Sequence, residues 1–126
     1  MTRGAAAATA NAWLNVLRGT TYTGLAGLFV KLHTGDPGSA GTANASAVTT
    51  RNALSLNAAS GGSATLSSLG SYSMTSTETI SDVSLWDNAT AGSFVVSGQL
   101  SASKAVNNGD TLSFTTFTLS ITPIAA

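Results

Sequence analysis

Between residues 80 and 100 the apolar and polar positions fall into two runs separated by a turn. Ile80, Val83, Leu85 and Trp86 make the first run; in the second, Phe94, Val96 and Leu100 alternate with Ser93, Ser97 and Gln99. Alternation with a period of two marks a strand with one buried face, because successive side chains leave a pleated chain on opposite sides. The intervening Asp87-Asn88-Ala89-Thr90-Ala91-Gly92 supplies side chains that bond their own backbone and a glycine free to take positive φ. The stretch therefore reads as a central hairpin, with Trp86 and Phe94 in or beside the core.

The same period recurs on either side. Leu28, Val30 and Leu32 alternate with Phe29, Lys31 and His33, and the run ends in Thr34-Gly35-Asp36-Pro37-Gly38, a strong turn sequence. A patternless segment follows from Ser39 to about Thr50. Loops of that length without structure are uncommon and usually functional, so it reads as an arm reaching a neighbour. Leu54, Leu56 and Ala58 then alternate, Ser60-Gly61-Gly62-Ser63 turns the chain, and Leu66, Tyr72 and Met74 resume the period. Ala102, Lys104 and Val106 suggest another short strand, closed by Asn107-Asn108-Gly109-Asp110 with Gly109 at positive φ. Near the end the apolar residues change parity, from Leu112 and Phe114 to Phe117, Leu119 and Ile121. A chain does this at Thr115-Thr116 only through a bulge or by passing from one sheet to another. Pro123 then ends the pairing.

One helix is predicted, over residues 5–17, where Ala6, Ala10, Trp13, Leu14 and Leu17 line one stripe before Gly19. A helix this short is marginal alone and is ordered by what it packs on. The pattern thus predicts a mainly β protein: an antiparallel, jelly-roll-like β-sandwich of about eight short strands (residues 21–126), preceded by a helical arm (residues 1–20). Because the strands already supply two apolar faces that close on each other, the arm's Trp13, Leu14 and Leu17 read as an attachment or oligomer contact, with Asp36 and Pro37 of the turn after Thr34 as further candidates.

Composition sharpens this. The 126 residues suit one domain. Charged residues make up only 8%, against roughly 25% in ordinary globular chains, and the net charge is zero. Such a surface favours association, so the chain reads as a subunit packed against others, a homo-oligomer in which a trimer is one option. The five basic residues, Arg3, Arg18, Lys31, Arg51 and Lys104, stand singly, which argues against nucleic acid as a partner. No apolar run approaches the ~20 residues of a membrane span. The alanine-rich opening is too weakly hydrophobic for a secretory leader. There is no cysteine and only one histidine, which removes thiolate metal sites and every arrangement needing two imidazoles.

Candidate chemistry is correspondingly thin. Asp36, Asp82, Asp87 and Asp110 sit in turn-like settings without the spacing of a calcium loop, so they read as turn makers, with no metal or cofactor expected. His33 could serve as a base only if a nucleophile came from elsewhere, and no Gly-x-Ser-x-Gly elbow marks one, so it reads as hydrogen-bonded to its own turn. Asn44-Ala45-Ser46 and Asn88-Ala89-Thr90 fit the glycosylation sequon, a pattern common by chance in Ser/Thr-rich chains. Trp13 and Trp86 could each stack a sugar, but both lie on apolar faces. No catalytic residue is assigned.

Two stretches together resemble a known family. Lys31-Leu32-His33-Thr34-Gly35-Asp36-Pro37-Gly38, continuing to Gly41-Thr42-Ala43-Asn44 and Thr50-Arg51, is similar to a signature of small virion proteins of tailed bacteriophages, especially those of actinobacteria. Ile80 to Asp87, Gly92-Ser93-Phe94 and Lys104 to Leu112 resemble the second half of the same family. The resemblance implies a non-enzymatic virion protein. Its leading form is a capsid decoration or minor capsid protein on the head surface, bound to the major capsid protein; a tail-fibre or tail-tip component is the alternative. A carbohydrate-binding or hydrolytic β-domain is the third reading.

Overall fold

The computed structural model describes residues 3–121, a curled antiparallel sheet closed by a two-stranded sheet in a sandwich-like arrangement. The elements are β1 (Gly4–Ala5), α1 (Ala7–Leu17), β2 (Leu28–His33), β3 (Asn52–Leu56), β4 (Ser63–Leu69), β5 (Tyr72–Ser73), β6 (Glu78–Trp86), β7 (Phe94–Val106), β8 (Thr111–Leu112) and β9 (Thr118–Ser120). The larger sheet has the order β1-β7-β6-β2-β3-β4-β9, and β5 pairs with β8. Pro123, expected to end the last pairing, lies outside the described residues.

The core follows the alternation. Val30 and Leu32 of β2 stand opposite Leu85 and Val83 of β6, and all four are buried. Ile80, Tyr72, Met74, Val106 and Leu112 join them, with Phe114 and Phe117 packed at the edge. Tyr72 and Phe114 meet edge to face at 6.3 Å, and the Tyr72 hydroxyl donates to the Val30 carbonyl at 2.6 Å. A buried phenol needs such an acceptor.

Turn chemistry agrees with the sequence at three places. Gly61 and Gly62 both have positive φ in the β3–β4 hairpin, and Gly109 takes φ +93° before β8. At the end of α1, Gly19 (φ +82°) donates to Val16 and Thr20 donates back to Asn15, the paired bonds of a glycine-terminated helix. The change of apolar parity at Thr115-Thr116 is a passage between sheets: β8 pairs with β5, whereas β9 pairs with β4.

Three expectations need correction. Ala102, Lys104 and Val106 do not form a separate strand; they continue β7, which carries three extra residues where Ile80↔Lys104 pairing gives way to Asp82↔Gln99. Phe94 does not share a face with Val96. The register slips between Leu85↔Val96 and Trp86↔Phe94, so Val95 is an inserted residue, and such a bulge turns Phe94 onto the opposite face beside Trp86. Finally, residues 39–50 do not reach outward. The loop folds back over the sheet: Thr34 N–H donates to Asn44, Ala43 to Pro37 and Ser46 to Leu32, while Gly41 lies against the Phe94 ring.

Candidate functional site

The face of the sheet turned away from the main core carries the polar residues of β2, β6 and β7, and the folded-back loop covers it. His33, Asp82, Ser84 and Ser97 are all buried there. Donors and acceptors run in one direction. The Trp86 indole N–H donates to Ser84 Oγ at 2.8 Å, the Ser84 hydroxyl donates to His33 Nε2 at 2.8 Å, and His33 Nδ1–H donates to the Ala43 carbonyl at 2.7 Å. This assignment fixes His33 as the neutral Nδ1–H tautomer, since the carbonyl can only accept and Nε2 is left to take the serine proton.

A serine bonded to a histidine, with Asp82 opposite that histidine in the ladder, has the residue types of a nucleophile and its base. The geometry serves packing instead. Nδ1 is held by a backbone carbonyl rather than by Asp82, Ser84 Oγ is already engaged by Trp86, and His33, Asp82 and Ser84 are sealed from solvent. The sequence pointed to a bond from His33 to its own turn at residues 34–38; the partner is instead Ala43 in the loop that follows, and the second partner, Ser84, lies 51 residues away with no local signal.

Burial lowers the His33 pKa, outweighing the bond to Ala43. The folded state therefore binds that proton less readily than the unfolded chain, and stability is fully present above the ordinary value of about 6.5 and falls as pH drops from there toward the lowered folded value. Urea midpoints should decline below about pH 6.5 in the wild type. In His33→Gln that part of the decline should be absent, and an identical pH profile in the two proteins would remove the buried neutral imidazole from the account.

Asp82 lies in the same layer. Burial alone would raise its pKa, but bonds from Arg3 and Ser81 hold it below the usual carboxylate value. Arg3 pairs with it directly, Gly4 N–H donates to Ser97 Oγ at 3.2 Å, and Ala6 N–H donates to Val95 at 2.8 Å. The first described residues are thus a strand clipped to the edge of β7 and fastened by an ion pair.

The other aspartates make turns. Asp36 accepts from Gly38 N–H at 2.9 Å, Asp87 from Ser93 N–H at 2.7 Å and Asp110 from Asn107 N–H at 2.8 Å. Among the described residues no three His, Cys, Asp or Glu side chains come together to hold a metal ion. Arg51 lies 3.8 Å over the Trp86 ring and donates to the carbonyls of Asn88 and Ala91, tying the central turn to the loop. Trp86 is therefore closed to a stacking sugar.

The five predicted contact residues separate into two groups. Pro37 is fully buried under the loop and Asp36 is half-buried, bonded within its turn. Trp13, Leu14 and Leu17 are 41%, 61% and 84% exposed, joined by Val16 at 46%, which sits beside the stripe that the helical period marks. No residue of α1 is buried, and the helix has neither a side-chain cap at its start nor a basic residue in its last turn. Helices stay ordered by burying an apolar face. This one leaves its face bare, and Tyr22 and Leu25 in the following connection are also exposed.

A second apolar surface, left uncovered by the described residues, is a cleft of about 510 Å³ between β7 and the residues that lead from β8 to β9. Val96, Leu100, Phe114, Phe117 and Leu119 line it, with Lys104 as the one charged side chain among the described lining residues. Gly98 explains the space. It pairs with Val83, so its position faces the core side of β7, and a Cβ built there meets nothing within 4 Å.

No curated protein matches the chain. Residues 4–122, from β1 past β9, match the family described as podophage GP4 fiber I protein gp80. That match covers nearly the whole chain, so this β-sandwich-like protein, whose single helix among the described residues is left bare, belongs to that family of phage structural proteins.

Proposed function

We propose that this chain is a fibre-type structural subunit of the phage tail, joined to its neighbours through α1. The observation that carries this reading is the match of nearly the whole chain to a fibre family. It supports the tail-fibre alternative better than capsid decoration, which led the sequence reading. The exposed helix supports the role in assembly: Trp13 is an aromatic anchor of the kind that dominates interfaces, and the alanines beside it allow close approach. The neighbours are other virion proteins, with further copies of this chain among them.

Gold-labelled antibody against the chain, applied to purified virions, tests the placement. Label at the tail is the expected result. Label spread over the head shell would return the decoration reading, and unlabelled particles would sink both.

A further inference from the structure

Among the described residues, two apolar surfaces are left uncovered, the stripe of α1 and the cleft beside Gly98. We propose that each is the partner of the other in successive copies: Trp13, Leu14 and Leu17 of one copy insert into the cleft of the next. This rests on α1 being the assembly contact and adds what receives it.

Three features favour this pairing. One heterologous contact covers both surfaces, whereas helix-to-helix pairing would leave the cleft open. The volumes are compatible, since a cleft of about 510 Å³ has room for an indole and two leucine side chains. Charge agrees as well. No charged residue occurs from Gly4 to Leu17, so docking the helix strips no ion of water, and Lys104 is the one charged side chain among the described lining residues.

A helix cannot fill its own cleft in this arrangement. β1 is bonded to β7 at Val96 and Ser97, on the rim, and the stripe of α1 remains exposed in the same chain. Contacts of one surface with a different surface on the next copy close into a ring or continue as a row, both suited to a fibre.

The absence of cysteine makes the test direct. Leu17→Cys and Thr116→Cys proteins, prepared separately, mixed and mildly oxidised, should form the mixed disulfide as the main product. If Leu17→Cys links only to itself, helices pair with helices and the proposal fails; if no cross-link forms, it fails too. A second variant, Gly98→Leu, places a side chain in the open space. Self-association measured by sedimentation should weaken roughly 30-fold or more, as when an interface anchor is lost, with the melting temperature of the dissociated chain unchanged. Undiminished association would overturn the proposal. A mixed disulfide in a protein found on heads would keep this contact and discard the fibre reading, so the two fail separately.

Discussion

Gly41→Val should destabilise the protein by about 2–5 kcal/mol, from backbone strain and overpacking together. Gly41 has φ +70°, a conformation that a β-branched residue adopts only with strain, and a Cβ there would stand 2.5 Å from the Phe94 ring. The ring cannot retreat freely, because it leans on Trp86 at 5.7 Å, and Trp86 is held from its other sides by Arg51 and Ser84. Either the ring or residues 39–50 must move, and with the loop goes the carbonyl of Ala43 that His33 needs. The urea midpoint should fall, with a change in the fluorescence of Trp86. An unchanged midpoint would mean that the loop does not clasp the sheet as described.

Leu85→Ala should cost about 3–5 kcal/mol, the range for a buried leucine that leaves a cavity. Leu85 is 1% exposed and lies on β6 between Val30 of β2 and Val96 of β7. Both neighbouring strands hold it in place, so the site cannot collapse around the smaller side chain. Leu17→Ala removes the same atoms from a position 84% exposed and should shift stability by no more than about 0.5 kcal/mol. The contrast between two identical substitutions is the useful quantity in denaturant melts. Equal losses at the two positions would mean that α1 is packed into the fold.

The sandwich was legible because alternation is a local signal. Val30, Leu32 and the β6–β7 hairpin declare their buried face in the sequence, glycines 61, 62 and 109 declare their turns, and the parity change at Thr115-Thr116 declares a change of sheet. What stayed hidden depends on long-range register. The bulge that sends Phe94 to the far side of β7 follows from how β6 and β7 pair, and no residue in either strand announces it. Likewise residues 39–50 read as an outreaching loop because the partners that anchor them to the rest of the sheet, Phe94 and Glu78, are remote in sequence. The ion pair of Arg3 with Asp82 spans 79 positions and is equally silent. The helical stripe of Trp13, Leu14 and Leu17, proposed as a contact, was legible from its period and is exposed. Pro37 was not, since a turn sequence looks exposed until something folds over it. The cleft was invisible for the opposite reason: it is made by a side chain that Gly98 lacks.

Deleting residues 2–18 would remove Arg3 and β1 along with α1 and leave the Asp82 carboxylate buried without its cation, so loss of folding and loss of assembly would be confounded. Substituting only exposed positions separates them. The triple variant Trp13→Ser, Leu14→Ser, Leu17→Ser, compared with wild type by sedimentation and then by add-back to particles lacking the protein, tests the assembly role most directly. The expected result is a folded monomer with a cooperative melt that no longer joins particles, while the wild type associates and joins. A triple variant that associates and joins particles as the wild type does would contradict it.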